Sequence, residues 1–586
     1  MALAPLPFDD LDAIKFRDES QTIAALLADP PLGGEARAAV HAEAVRLVEA
    51  ARQNANRQGV VESFLQEFSL GTREGLALMC LAEALLRTPD EDTRDRLIAE
   101  KIGSADWASH LGQSDSLFVN ASTWGLMLTG KLVDVDDEAK RDLGGFLKRV
   151  AGRIGEPVIR QAVAAAVRIM GEQFVLGRTI EAAIRRAGRE GWLCSFDMLG
   201  EGARTDADAA RYEGIYAHAI ETVGQARRAG SGPESGHGVS VKLSALSPRY
   251  EAVQEERVWA ELYPRVKRLA EIAARHDLNF TIDAEEADRL VISLKLLDRL
   301  AGEESLGAWT GLGLAVQAYQ KRCPEVIDAI VRIARGRGRR LMVRLVKGAY
   351  WDTEIKRAQI AGRPDYPVFT TKAATDLNYL ACARKLIDAS PDIFSQFATH
   401  NAHTLAAVGR MAVEAGVTVE YQRLHGMGEA LYAVAGKNTM VRAYAPVGGH
   451  EELLPYLVRR LLENGANSSF VHALLDERVP AEAVAADPIT QVEAQPGPHP
   501  KIPRPKDMYG DRQNSLGRDY SQEADRERHA RALEKLDSEK LTSGPIVGGS
   551  LRAGVNPQEV RNPWDTRQLI GHVSEASEED IEASET

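Results

Sequence analysis

The amino-acid sequence predicts an α/β protein, a (β/α)8 barrel preceded by an α-helical arm and domain. Three observations carry that expectation. Near residue 190 the apolar pattern changes from recurrence at spacings of three and four to short β-type runs. Eight such runs then alternate with longer amphipathic stretches over roughly 280 residues, the size of a closed barrel rather than of an open doubly wound sheet. The first strand-to-helix turns carry no G-x-G-x-x-G, and no G-x-x-x-x-G-K-S/T occurs, so neither a dinucleotide-binding sheet nor a P-loop is supported.

The chain has 586 residues, 44% hydrophobic and 27% charged, which is ordinary globular usage with enough material for a large core. Seventy-two basic residues against 85 acidic give a formal charge of −13, without the cationic excess of a phosphate-neutralising protein, so no nucleic-acid partner is expected. Cys80, Cys194, Cys323 and Cys382 lack C-x-x-C spacing and define neither a zinc site nor a disulfide framework. A reducing, cytoplasmic setting is therefore expected. The start, MALAPLPFDDLDAIKF, has Asp9, Asp10 and Asp12 where a signal peptide needs basic and then apolar residues. No run of about 18 apolar residues occurs, so no membrane span is expected.

In chain order, residues 1–35 read as an N-terminal arm and 36–188 as an α-helical domain. Leu76 to Leu86 forms an apolar helix that stops before Pro89, and Ile159, Val163, Val167, Met170 and Phe174 recur at helical spacing behind Pro157. Such surfaces pack or dimerise more often than they catalyse. The barrel is expected over 189–475. Its strands are read at Leu193–Leu199, Gly238–Ser244, Asn279–Ala284, Gly311–Gln317, Arg340–Val346, Gln396–His400, Val417–Gln422 and Met440–Tyr444. Helices between them, such as Ala209–Ala229, Glu255–Ala274 and Val326–Arg335, are long enough for right-handed crossovers between parallel strands. A linker and helical segment follow over 476–543. Six prolines between Pro488 and Pro505 predict extended chain without regular helix, and Ser521–Lys540 reads as helical.

In such a barrel the chemistry sits at the carboxyl ends of the strands. In SVKLSAL, Lys242 shares the polar parity of Ser240 and Ser244, and in FTIDAEE, Asp283 ends the next strand. The two could form a structural ion pair, or an anion-binding or catalytic pair, because a buried cation is costly without a task. The fifth strand ends in VRLVKGAYWD, which crowds Arg344, Lys347, Gly348, Ala349, Tyr350 and Trp351 together. The sixth offers Thr399, His400 and Asn401, where a lone His is as often a satisfied hydrogen-bonding residue as a ligand. The seventh gives YQRLHGMGE, with no second His or carboxylate at metal-ligand spacing, so no metal site is expected. After the eighth, YAPVGGHEELLPYLVRRLLENGANSSF carries Tyr456, Arg459, Arg460 and Glu463 on one helix. These read either as a solvated ion-pair face or as a carboxylate clamp closing the mouth. The residues alone suit a small anionic substrate with an apolar body. They leave open a Schiff-base lyase using Lys242 or Lys347 and a non-catalytic ligand-sensing module.

SVKLSAL, DAEEADRL, RLVKGAYWDTEIKRAQ, ATHNAHT, LHGMGE and YAPVGGHEELLPYLVRRLLENGANSSF, in this order, closely resemble the proline dehydrogenase domain of the bacterial proline utilization A flavoenzymes, from about residue 40 to 480. The resemblance implies a barrel of the proline dehydrogenase type that binds FAD, with its last helix over the mouth. It implies oxidation of L-proline to Δ1-pyrroline-5-carboxylate by hydride transfer from C5 to flavin N5, the first step of proline catabolism to glutamate. By motif, Gln317, Arg344, Lys347, Gly348, Ala349, Trp351, Thr399, His400, Gln422 and Glu463 resemble flavin contacts. Lys242, Arg459 and Arg460 resemble the carboxylate clamp, Asp283 its support, and Tyr350, Leu424 and Tyr444 the walls around the pyrrolidine ring. Arg344, Tyr350, Tyr444 and Asp283 are the implied catalytic group. The family further implies a quinone electron acceptor with peripheral contact at the inner membrane, and allows a homo-oligomer. Some members begin with a ribbon-helix-helix DNA-binding domain, which the acidic start here does not match. VRNPWDTRQLIGHV resembles the opening strands of an aldehyde dehydrogenase, so 544–586 read as the start of an incomplete second domain. The truncated front of a longer protein is expected in preference to a natural remnant.

Overall fold

The computed structural model describes residues 8–55, 175–200, 202–436, 439–449, 473–474, 478–539 and 541–585. The chain divides into two compact units, residues 1–517 and 518–586.

The first unit is built on a closed barrel of eight parallel strands: β1 (Leu193–Met198), β2 (Gly238–Val241), β3 (Asn279–Ile282), β4 (Leu312–Gln317), β5 (Leu341–Val346), β6 (Ile393–Ala398), β7 (Glu420–Leu424) and β8 (Val441–Val447). Every strand lies where the alternation predicts one. Pairing of β1 with β8 in register, Leu193 beside Arg442 through Met198 beside Val447, closes the ring. Strand β7 starts three residues later than expected because Val417 still belongs to the end of the preceding helix. Its amide donates to Ala412 O, and Gly416 occupies the left-handed conformation that closes that helix.

Before the barrel come α1 (Phe8–Ala13), α2 (Glu19–Ala28), α3 (Gly34–Ala55) and α4 (Ile180–Glu190). Around it lie α5 (Asp206–Gln225), α6 (Tyr263–Arg275), α7 (Leu290–Ala301), α8 (Cys323–Arg337), α9 (Trp351–Ile360), α10 (Lys372–Asp388), α11 (Ala402–Ala415) and α12 (Glu429–Val434). Side-chain caps set several helix starts: Thr205 and Asp208 form a reciprocal capping box on α5, and Asn401 accepts from Thr404 N on α11. Val40, Ala44, Leu47, Val48 and Ala51 of α3 are buried in the same core as the barrel, and α3 packs on α11 and α12. The arm is tied down by buried polar contacts. Arg322 donates to Leu11 O at 2.9 Å, Lys15 pairs with Asp288, and Glu19 accepts from both the amide and the hydroxyl of Thr370. The predicted helices at Leu76–Leu86 and behind Pro157 lie outside the described residues.

The proline-rich stretch departs from expectation. Residues Ala481–Val484 form the short helix α13, and Pro488–Ala494 form a second, α14, before the extended run begins. Pro488 occupies the first turn, where a missing amide costs nothing, and Asp487 caps the helix by accepting from Ile489 N. Ile489 and Val492 then bury against Ile23, Phe369 and Leu377.

The second unit contains α15 (Glu523–Ser538), then β9 (Leu541–Ser543), β10 (Ile546–Val547), β11 (Ser550–Leu551), β12 (Val555–Arg561), β13 (Leu569–Glu575) and α16 (Glu578–Ser584). Strand β13 pairs antiparallel with β12 and parallel with β9, while β10 and β11 form a separate hairpin.

Candidate active site

The barrel interior is unusually polar, and its layers explain what reaches the mouth. At the lower level Arg442 and Glu420 form a fully buried pair, and the amides of Gln396 and Gln422 both donate to Glu420 at 2.8 Å. Carbonyls of Gly236 and Glu234 take the remaining Arg442 donors, so this ionic core is hydrogen-bonded as low dielectric demands. One level higher Arg344, 3% exposed, donates to Ser195 Oγ at 3.0 Å, to Ser240 Oγ at 2.9 Å and to Asp283 Oδ1 at 2.8 Å.

At the carboxyl ends four strands converge on one cluster. Lys242 Nζ donates to Asp197 Oδ2 at 2.8 Å, to Asp283 Oδ2 at 3.2 Å and to the Tyr444 hydroxyl at 3.2 Å. The Tyr444 hydroxyl donates in turn to Asp283 Oδ2 at 2.6 Å, and the Arg344 guanidinium lies 5.1 Å from the Tyr444 ring centroid. Two cations face two carboxylates, so the cluster is neutral in sum. Burial alone would lower the Lys242 pKa, but Asp197, Tyr444 and Asp283 outweigh it and hold the ammonium well above the ordinary lysine range. For Asp283 burial acts upward, and Lys242 and Arg344 overcome it, keeping the carboxylate ionised. Burial, reinforced by Asp197 and Asp283, pushes Tyr444 upward, so it stays a phenol.

Above the cluster opens a pocket of about 180 Å³, several water volumes, lined by Lys242, Asp283, Gln317, Arg344, Lys347, Gly348, Ala349, Tyr350, Thr399, His400, Gln422, Leu424 and Tyr444 among others. The structure thus brings together in one cavity residues from seven strand ends that the sequence singles out separately. Trp351 stands outside this wall: it starts α9 and donates its indole N–H to Phe369 O at 2.8 Å. Arg459, Arg460 and Glu463 lie outside the described residues. Thr399 and His400 have structural partners, since Asn401 N donates to Thr399 Oγ1 and Leu424 N donates to His400 Nε2. The second bond makes His400 Nε2 an acceptor, which requires an unprotonated nitrogen there. Gly348 has φ +131°, and a Cβ at that position would meet the Tyr319 ring at 2.5 Å. That turn therefore admits only glycine.

Two acidic residues were not anticipated. Asp197, the penultimate residue of β1, is 1% exposed, and Asp376 of α10 pairs with Lys347. The signal for Asp197 is present in LCSFDM, where Ser195 and Asp197 alternate with Cys194, Phe196 and Met198 as Ser240 and Lys242 do in the next strand. No comparable local signal exists for Asp376, which reaches Lys347 from a helix. Among the described residues no group of three or more His, Cys, Asp or Glu side chains could hold a metal ion, and no helix is long and apolar enough to cross a membrane.

Residues 180–473 match the family model of proline dehydrogenase, and residues 60–174 match a model described as the DNA-binding domain of proline dehydrogenase. The second match runs against the expectation of no nucleic-acid module, which charge balance and the acidic start had suggested. Those residues lie outside the described part of the chain. The bifunctional protein PutA of Escherichia coli (strain K12) is 49% identical over 589 residues, covering 97% of this chain and 44% of that protein. Bifunctional PutA of Rhizobium meliloti is 47% identical over 599 residues, covering 98% and 48% respectively. A crystal structure of a mutant proline utilization A from Bradyrhizobium japonicum superposes with a TM-score of 0.70 at 47% identity, covering 91% of this chain and 54% of that one. The chain thus spans about half the length of the relatives it matches.

Proposed function

The chain belongs to the proline dehydrogenase family, and from that premise we propose that it oxidises L-proline to Δ1-pyrroline-5-carboxylate with FAD as cofactor. The observation that carries this reading is the charge-balanced cluster of Lys242, Arg344, Asp197 and Asp283 beneath the strand-end pocket. Lys242, with Arg459 and Arg460 of the segment after β8, is assigned the substrate carboxylate. Asp283 steadies that cation, and Tyr350, Leu424 and Tyr444 are assigned the apolar ring. Gln317, Arg344, Lys347, Gly348, Ala349, Thr399, His400 and Gln422, together with Trp351 and Glu463, are assigned the cofactor.

The donor set fits a flavin. Gln422 Oε1 is a buried acceptor in the pocket wall with no hydrogen-bond partner among the described residues, and Arg344 Nε is a buried donor in the same condition. A flat heterocycle with donors and acceptors on its edge answers both. A flavin held by these residues would supply the acceptor for the hydride that leaves C5 of proline, the amine proton passing to solvent as the C5–N bond becomes a double bond. For the hydride to leave readily the substrate amine must be neutral. Asp197 and Asp283 are both engaged by protein cations, so neither is free to hold the amine protonated. The remaining task of these residues is orientation, which in a preorganised site supplies a large share of rate acceleration.

A Schiff-base lyase needs an unprotonated lysine, and the two carboxylates around Lys242 oppose that state. The test is optical. The purified chain should show a flavin spectrum that bleaches when proline is added without oxygen. A colourless protein that borohydride traps with a carbonyl substrate, or a flavin untouched by proline, would overturn the proposal.

A further inference from the structure

Building on the assignment of Lys242 to the substrate carboxylate, we propose that Asp197 is a positioning residue, the contact of Lys242 that is kept whichever of the others is given up when the ligand enters. An ammonium has three N–H donors. All three of Lys242 point to protein groups: Asp197 at 2.8 Å, Asp283 at 3.2 Å and Tyr444 at 3.2 Å. A ligand carboxylate can therefore be met only if one of these contacts is given up.

The alternatives differ in what they leave behind. Asp283 keeps Arg344 at 2.8 Å and the Tyr444 hydroxyl at 2.6 Å if the ammonium turns away, so its charge stays compensated. The Tyr444 hydroxyl keeps Asp283 as its acceptor. Among the described residues Asp197 has no such reserve. It is 1% exposed, and among the described residues its Oδ1 is buried with no hydrogen-bond partner and Lys242 is the one cation paired with its Oδ2. Releasing that contact would strand a buried carboxylate without a counter-charge, the most expensive of the exchanges. The ammonium thus pivots on Asp197, turning a donor from the Asp283 and Tyr444 side toward the pocket. Asp197 is absent from the pocket wall itself, so it acts on the ligand through Lys242.

The experiment is a double-mutant cycle of Asp197→Asn and Lys242→Met. It is read by calorimetric affinity for an unreactive five-membered-ring carboxylate, by steady-state kinetics on proline and by Tm. Asp197→Asn should raise the dissociation constant and KM about tenfold, as expected for losing a charge-assisted bond, while kcat falls less than about threefold. In the Lys242→Met background the same change should leave affinity unaltered and raise Tm, because it removes a stranded charge. Unchanged or tightened affinity in Asp197→Asn, or losses that add in the double variant, would overturn the proposal. Should Asp197→Asn fail to fold, Asp197→Ser and the comparison of Lys242→Met with the double variant carry the same test. A wild-type chain that binds the carboxylate but never oxidises proline would defeat the proposed activity. The cycle would still decide the role of Asp197.

Discussion

At the residue scale the site is a problem of competing demands on few polar atoms. Tyr444 illustrates it, since its hydroxyl accepts from Lys242 and donates to Asp283 while its ring forms part of the pocket wall. Replacing it with Ser keeps a hydroxyl but removes bulk. Activity on proline should fall while the advantage of proline over hydroxyproline narrows, as read from the ratio of the two kcat/KM values. A constant ratio would show that Tyr444 does not bound that face of the substrate. His425, one residue beyond the pocket wall, is a different case: both ring nitrogens are buried with no hydrogen-bond partner among the described residues, beside Trp192. Burial, helped by Arg186 and Arg423, pulls its pKa down to about 3. The unfolded chain takes up a proton as pH falls through the ordinary histidine range, and the folded chain does not, so stability is lost on acidification. His425→Phe should shrink the stability lost between pH 7 and pH 5 by about 2 kcal/mol, measured by denaturant titration at each pH. An unchanged loss would show that His425 is not held neutral.

At the element scale the turn after β5 carries the largest share of the pocket. It runs Lys347, Gly348, Ala349 and Tyr350 in succession, and Tyr319 N donates to Lys347 O at 2.7 Å to hold it against the turn after β4. Because Gly348 combines a positive φ with a ring pressed against its α-carbon, Gly348→Ala forces either the turn or Tyr319 to move. The expected cost is about 1–3 kcal/mol of stability. Flavin content should drop as well, read from the ratio of visible to ultraviolet absorbance after purification. A variant with full flavin and an unchanged Tm would refute this account of the turn.

At the scale of the whole molecule, the pocket and every described residue of the site belong to the unit spanning residues 1–517. A chain ending at Gly517 should therefore fold, retain flavin and oxidise proline at a rate within about twofold of the longer chain, since it keeps the whole barrel core. Loss of flavin in that shorter chain would show that residues 518–586 complete the site. The arm tests the same unit from its other end. Lys15, Glu19 and the Arg322 contact to Leu11 and Asp12 make residues 8–19 part of the barrel's buried polar network rather than a loose leader.

Much of this was legible in local order. Alternation over five to seven residues located all eight barrel strands, and the same parity set Lys242 and Asp283 on the polar side of theirs, because the side-chain period of a strand depends only on neighbours in sequence; Tyr444 entered the site through the family resemblance alone. The proline count misjudged residues 488–494, since position within a helix, not proline content, decides whether the ring is tolerated. What tertiary structure alone decided is the state of the site's polar groups. Lys242 and Asp197 stand 45 positions apart, and Tyr444 stands 202 from Lys242. Whether the lysine is free or saturated depends on β1 meeting β8 and on four strand ends converging at hydrogen-bond distance. Closure of the ring sets that geometry, and no short window of sequence contains it.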